Sequence, residues 1–385
     1  MNEKEIGELR RRLRADKCAV NDLYGCFVNE KKEIVSSFRQ PLGMTPSDDV
    51  DAVLQIMRKA LSGTPGKNLL TLPFSTEQVM DSDEHRMFSA LRTRDAQSEP
   101  AIQALFEQTA ACLSMETAYL ILLAQDAYDV PAAGRDGPDG ESADVFTYCL
   151  CAICPVKETR PALGFFPSEN TFRSLLGNRV ISAPELGFLF PSFDDRAANI
   201  YDLLYYTKNS AANHPEFIEQ VVRAAVPMPA DEQKETFNGI LENALSDACS
   251  LDLAVELRDA ICEQIEEAKE THADEPPVVS KKDVSRVLRR CGVAEERVEA
   301  FEREYQETFG AADLPPKNIV NPKQFEVATP DVQIRVAPDH SYLISTRTID
   351  GVPYILVRAD SGVAVNGMQV QIVGETDPAE GSPEE

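Results

Sequence analysis

Hydrophobic and polar positions follow two rhythms along this chain, and the switches between them mark out its elements. Ile6, Leu9 and Leu13 recur at helical spacing behind Asn2 and Glu5, a pair able to cap a helix reciprocally, so the chain opens with an amphipathic helix. LYGCFV and EIVSSF flank the polar tetrad Asn29, Glu30, Lys31 and Lys32, which predicts a β-hairpin. From Ser47 a second helix sets Val50, Val53, Leu54, Met57 and Leu61 on one stripe; Gly63 is expected to end it in the left-handed conformation, and Pro65 blocks any extension. Next come the strand NLLTLPF, a helical stretch around Met87, Phe88 and Leu91, and a helix from Ser98 with Ile102, Leu105, Phe106, Thr109 and Leu113 inward. YLILLAQDAYDV and VFTYCLCAICPV then predict neighbouring antiparallel strands joined by the loop PAAGRDGPDGES.

The β rhythm continues through ALGFF, ELGFLFPSF and NIYDLLYYTK, bounded by residues that favour turns. Asn213 and Glu216 repeat a capping pattern before Phe217, Ile218, Val221 and Val222, and two further helices follow, through Phe237 to Leu245 and Leu253 to Ile265. The fold class is therefore α+β: an antiparallel sheet with flanking helices over residues 1–270. An acidic, proline-bearing linker is expected at 271–283, a helical hairpin turning at Gly292 at 284–318, and a small all-β unit at 319–373. In that unit Asp350-Gly351 and Asn366-Gly367 accept positive φ and specify hairpin turns. The acidic tail 374–385 has too little to bury and is expected to be disordered.

Charge narrows the partners. With 38 Lys and Arg against 64 Asp and Glu, the 385 residues carry a net charge of −26. A broad phosphate-binding surface needs clustered cations, so nucleic acid is disfavoured, as is an acidic membrane surface. The opening MNEKEIGELRRRLRADK lacks the apolar core of a secretory signal, and YLILLA is far short of the ~18 apolar residues of a membrane span. A cytoplasmic protein with no membrane partner is expected, its nine cysteines reduced.

Several places could carry chemistry. Cys149, Cys151 and Cys154 contain a Cys-x-x-Cys pair, yet no second ligand pair stands nearby, and alternation puts Cys154 on the opposite strand face from the other two. Buried, inert thiols are the expectation. SGTPGKN resembles a phosphate loop only partly, since Leu61 and Asn68 stand where the motif needs Gly and a hydroxyl residue. Carboxylates gather at Asp126 and Asp129, and at Asp194 and Asp195 followed by Arg196, at the ends of predicted strands. Held within hydrogen-bonding reach, such acids could bind a divalent ion or divide acid and base roles; separately they cap turns and pair with Arg. His85, His214, His272 and His340 fit no ligand or triad pattern, and no cofactor or metal centre is implied. The helical hairpin has helix-turn-helix proportions, but Glu295, Glu296, Glu299, Glu302, Glu304 and Glu307 on its second helix would repel DNA. One basic stretch, Arg10, Arg11, Arg12 and Arg14, offers a docking face to an acidic partner, carried chiefly by Arg10, Arg11 and Arg14.

The strings LSGTPGKNLL, LILLAQDAYDVP, YCLCAICPV, GFLFPSFDDR, LYYTKN, IDGVPYILV and VNGMQV together resemble an uncharacterised Firmicutes family known only as a domain of unknown function, DUF4317. The resemblance spans nearly the whole chain and implies no activity, cofactor or site residue. The order of elements is also similar to that of the bacterial nucleoid-associated protein family, a likeness of layout alone. The leading expectation is a non-enzymatic cytoplasmic protein that binds another macromolecule, most of all a protein. One alternative is a nucleoid-associated, DNA-binding-like protein; the other is a metal-dependent or hydrolytic enzyme built on Asp126, Asp129, Asp194 and Asp195.

Overall fold

The computed structural model describes residues 1–131, 142–175, 177–271, 277–360 and 362–371. The expected tail 374–385, His272 with the rest of 272–276, and nearly all of the loop PAAGRDGPDGES lie outside the described residues. The fold is α+β, as the two rhythms predict.

The order of elements begins α1 (Glu3–Arg12), β1 (Asp22–Val28), β2 (Ile34–Pro41), α2 (Ser47–Lys59), β3 (Leu69–Pro73), α3 (Thr76–Asp81), α4 (Asp83–Leu91) and α5 (Ser98–Cys112). The long strands β4 (Tyr119–Pro131) and β5 (Ser142–Glu158) follow, then β6 (Ala162–Phe166), β7 (Thr171–Leu175), β8 (Arg179–Ile181), β9 (Leu186–Phe190), β10 (Ser192–Asp194), β11 (Ala197–Asn199) and β12 (Asp202–Thr207). Seven strands hydrogen-bond in the order β2-β1-β4-β5-β9-β12-β3, and β8 joins the end of β5 to complete an eight-stranded sheet. Every one of these pairings is antiparallel.

Period-two alternation divides the sheet's side chains between two cores. Cys149, Cys151 and Ile153 of β5, with Phe188 and Phe190 of β9, pack under Phe88, Leu91, Ile102, Leu105 and Phe106 of α4 and α5. On the opposite face Tyr148, Leu150, Ala152 and Cys154 pack under Ile6 and Leu9 of α1 and Val50, Leu54 and Met57 of α2. The sheet is thus covered on both sides, and the three cysteines fall on the faces that alternation assigns them.

Three local expectations differ from what is found. ELGFLFPSF is two strands rather than one, because Pro191 has no N–H to continue the ladder and β10 pairs instead with β11. Helix α2 stops at Lys59 with Ala60 in a right-handed cap, and the left-handed glycine of the following loop is Gly66, not Gly63. His214, not Asn213, is the residue before the turn α6 (Pro215–Phe217); it sits at φ 48° with no side-chain cap, and the chain continues as a π-helix through Val222.

The remaining elements are α7 (Ala230–Leu245), α8 (Leu251–Glu270), α9 (Lys281–Arg290), α10 (Glu295–Phe309), α11 (Pro316–Ile319), β13 (Phe325–Ala328), β14 (Gln333–Val336), β15 (Ile344–Ile349), β16 (Val352–Val357), β17 (Val363–Val365) and β18 (Met368–Val370). Two compact units divide the chain, one of Met1–Gly239, Ile265–Val279 and Asp313–Ile319, the other of Ile240–Gln264, Ser280–Ala312 and Val320–Glu385. In the second unit Ser280 and Asp283 form a reciprocal cap on α9, and Gly292 at φ 78° turns the chain into α10. Arg289 of α9 grips Glu295 and Glu302 of α10 at 2.6 and 3.2 Å. The described strands of this unit form three separate hairpins, β13–β14, β15–β16 and β17–β18, with no shared sheet.

Candidate functional site

The sequence-predicted acids lie where α1 meets the ends of β4 and β10. Helix α1 starts at the reciprocal cap of Asn2 and Glu5 and buries Ile6 and Leu9. Arg12 falls four residues after Glu8, on the edge of that buried stripe, so both side chains reach the sheet rather than water. Arg12 donates from Nη2 to the Ala127 carbonyl at 2.6 Å, places its Nε 3.6 Å from Asp126 Oδ2, and lays its guanidinium 4.5 Å from the Tyr128 ring centre. It is therefore withdrawn from the outward basic stretch to which its position in sequence assigned it.

Asp126 is buried, and its acceptor positions are filled. Oδ1 accepts the Ala19 N–H at 2.7 Å and the Ala127 N–H at 2.9 Å, and Oδ2 accepts the Tyr148 hydroxyl at 2.7 Å. Burial first, and then the charge of Asp126, push the Tyr148 phenol well above its ordinary range, so it stays a hydrogen-bond donor. A carboxylate satisfied in this way anchors α1 and the α1–β1 connection to the sheet. Asp129 is exposed, and three positions along β4 place it on the opposite strand face.

Asp195 and Arg196 form the two-residue turn between β10 and β11, with φ of 49° and 60°. Two consecutive left-handed residues mark a type I′ turn, which usually holds Asn-Gly. Arg at such a position is held by what it touches: Nη1 donates to Glu8 at 2.8 Å and Nη2 to the Pro131 carbonyl at 3.2 Å. Glu8 also accepts the Tyr128 hydroxyl. Asp195 stays exposed. Asp194 pairs with the amino group of Met1 and shares the Asn199 amide with Asp202, at 2.8 Å to each. Burial and the neighbouring Asp194 charge raise the Asp202 carboxyl above its usual range.

What is brought together is a polar chain of Asp126, Arg12, Tyr128, Glu8 and Arg196, not a set of converging acids. Among the described residues no group of three or more His, Cys, Asp and Glu is placed to hold a metal ion. A family model described as a domain of unknown function, DUF4317, matches residues 1–368. The chain belongs to the DUF4317 family. No curated protein matches it. The DUF4317 match takes in both compact cores of the sheet, the helical pair and the polar chain on α1, and its description carries no activity.

The other motifs of this DUF4317 protein resolve into structural roles. In SGTPGKN, Gly66 donates its N–H to Leu69 and its carbonyl accepts from Asn318, and a Cβ there would stand 2.8 Å from Pro315 Cγ. The space a phosphate would need is filled by the chain's own segment. His85 packs edge-on between Phe74 and Phe190 and hydrogen-bonds the Ile200 carbonyl at 2.9 Å. Burial pushes the thiols of Cys149 and Cys154 up to about 12, which suits packing and not nucleophilic attack. Arg10, Arg11 and Arg14 are exposed, and none has an ion-pair partner among the described residues. Most of the polar chain escaped sequence reasoning. Tyr148 and the Ala19 N–H meet Asp126 only through the tertiary fold, and the one local signal was the i, i+4 spacing of Glu8 and Arg12.

Proposed function

We propose that this DUF4317 protein is a non-enzymatic, cytoplasmic binding protein whose partner is a protein presenting acidic side chains to Arg10, Arg11 and Arg14. The observation that carries the reading is a contrast within one short stretch: Arg12 is tied to the sheet, while Arg10 and Arg11 on the same helix and Arg14 just past its end stand in solvent without partners among the described residues. The helix that carries Arg10 and Arg11 is already anchored, so binding there orders side chains without also ordering the backbone. At physiological salt the Debye length is about 8 Å, so a partner touching these arginines feels them more than any carboxylate lying farther off than that. A depression of about 550 Å³ begins at Ala15, one residue beyond Arg14, and its floor of Val20, Leu42 and Val50 offers an apolar foothold beside the charges. All nine cysteines are free thiols, which supports a reducing compartment. No helix among the described residues is long and apolar enough to cross a membrane.

The enzyme reading draws little support, because Asp126 is saturated and Asp129 leaves the opposite strand face. To test the proposal, tagged wild type and the R10E/R11E/R14E variant are purified from native cells in parallel, with equal melting curves as the control for folding. A protein retained by wild type, released by salt and lost with the variant is expected. Identical recovery by both, or no partner at all, overturns the reading. Arginine-dependent binding to duplex DNA at low salt would replace it with the nucleoid-associated alternative.

A further inference from the structure

The hairpin beyond β5 carries an uncovered apolar face. β5 and β8 pair as Val156↔Ile181, Lys157↔Val180 and Glu158↔Arg179. The ladder continues through the Thr159 N–H to the Asn178 carbonyl at 2.8 Å, and β6–β7 resumes in the same register with Leu163↔Ser174 and Phe165↔Phe172. One long hairpin therefore starts in the main sheet and leaves it. The departure point is built for close backbone approach: a Cβ on Gly177 would stand 2.3 Å from the Thr159 carbonyl oxygen, and Pro161 opens the distal half. Beyond it, among the described strands, β6 and β7 pair only with each other.

Alternation sorts this distal ribbon into two unlike faces. Leu163, Phe165, Phe172 and Ser174 share one face, which carries no charge, and Leu163, Phe165 and Phe172 are 73%, 50% and 68% exposed. The two rings meet at 5.1 Å, so they form one patch. Arg173 lies on the other face, stacked on Phe166 and paired with Glu169. A two-stranded ribbon is marginal in water unless its apolar face is covered, and contiguous exposed apolar patches mark contact sites.

We propose that this face is covered by the same face of a second copy of the chain, the two ribbons packing about a two-fold axis. The charge pattern selects that occupant. Apposing two identical uncharged faces brings Leu163, Phe165 and Phe172 of each copy together and leaves Arg173 and Glu169 of each in solvent, so no like charges are buried. An anionic membrane is the poorer match, because the patch has no cation on its own face and the chain carries −26 overall. That same charge makes the two bodies repel at long range, so association strengthens as salt screens it.

Sedimentation equilibrium of the full chain over a micromolar concentration series, at low and high salt, tests the proposal. The expected mass is twice the 42.5 kDa of the chain, with a larger dimer fraction at high salt. The variants F172D and L163D are expected to halve that mass and to melt like the wild type diluted to where it is monomeric, since both side chains already stand in water in the single chain. A control, M44D, alters another exposed apolar residue and should leave the dimer intact. A wild type that stays monomeric throughout, or a dimer indifferent to F172D and L163D, overturns the inference. So does a monomer that floats with anionic vesicles through Phe172.

Discussion

The centre of the main sheet and the three C-terminal hairpins are built from the same alternating strands, yet only the first has a core. In β5 and β9 both sets of side chains are buried, Cys149, Cys151, Phe188 and Phe190 under α4 and α5, Tyr148 and Leu150 under α1 and α2. In β15 and β16 only Ile344 is buried, while Ile349, Val352, Tyr354 and Val357 stay exposed. Hairpin turns come from local chemistry: Asp350, Gly351, Asn366 and Gly367 all have positive φ, as type I′ turns require. Covering layers do not come from local chemistry. The difference shows that turn residues specify who pairs with whom, and helices placed by long-range contacts decide whether the pairing is buried.

Thiol reactivity should separate the two regions most widely. With burial holding Cys149 and Cys154 at about 12, roughly one in ten thousand of such thiols is ionised at pH 8, before access is considered. A cysteine placed at the exposed Ser345 of β15 should alkylate at the rate of a free thiol, while Cys149, Cys151 and Cys154 label only after denaturation. Mass spectrometry of the native protein after a short alkylation pulse reads this directly. Labelling of Cys151 on the same timescale as S345C would erase the distinction.

Truncation should give the next largest contrast. Phe188→Ala removes a fully buried ring from between α4 and the sheet and is expected to cost about 3 to 5 kcal/mol by denaturant unfolding. Tyr354→Ala, on the exposed hairpin, should stay within about 0.5 kcal/mol. Asp126→Ala follows: it leaves the Tyr148 hydroxyl and the Ala19 N–H without acceptors and Arg12 without its counter-ion, an expected loss of about 3 kcal/mol. Asp129→Asn, on the exposed face, should be silent. Equal losses at Asp126 and Asp129 would remove the anchoring role assigned to the first.

The sheet was legible because its signals are periodic: Cys149 and Cys151 fall to one core and Cys154 to the other, as alternation requires. Caps were legible because they are local, as at Asn2 with Glu5 and Ser280 with Asp283. The candidate site was legible only in part. Asp126 stood out as a charge in an apolar strand, but its partners lie 22 and 107 positions away at Tyr148 and Ala19, and no spacing rule links them. Arg12 was misplaced for a related reason, since its neighbours Arg10, Arg11 and Arg14 do face water. The hairpins turning at Asp350-Gly351 and Asn366-Gly367 were legible, while the β13–β14 hairpin and the failure of all three to share a sheet were not, because nothing in a turn dipeptide says whether a third strand will pair.

Two glycines give the finest test of the comparison. Gly187 on β9 is required by space: a Cβ there would stand 2.4 Å from the Cys151 carbonyl oxygen and 3.1 Å from Ala60 Cβ, so the crowding of two covered layers fixes the residue. Gly351 has nothing within 4 Å of such a Cβ, and only its φ of 80° constrains it. Gly351→Ala therefore costs backbone strain alone, about 1 kcal/mol, with no packing term. If β15–β16 opens on its own, that cost should appear as about fivefold faster amide exchange across the hairpin while exchange in β4, β5 and β9 and the main unfolding transition stay unchanged. If instead the main transition shifts with Gly351→Ala, the hairpin unfolds together with the rest of the chain, and its exposed strands share a cooperativity that their burial does not reveal.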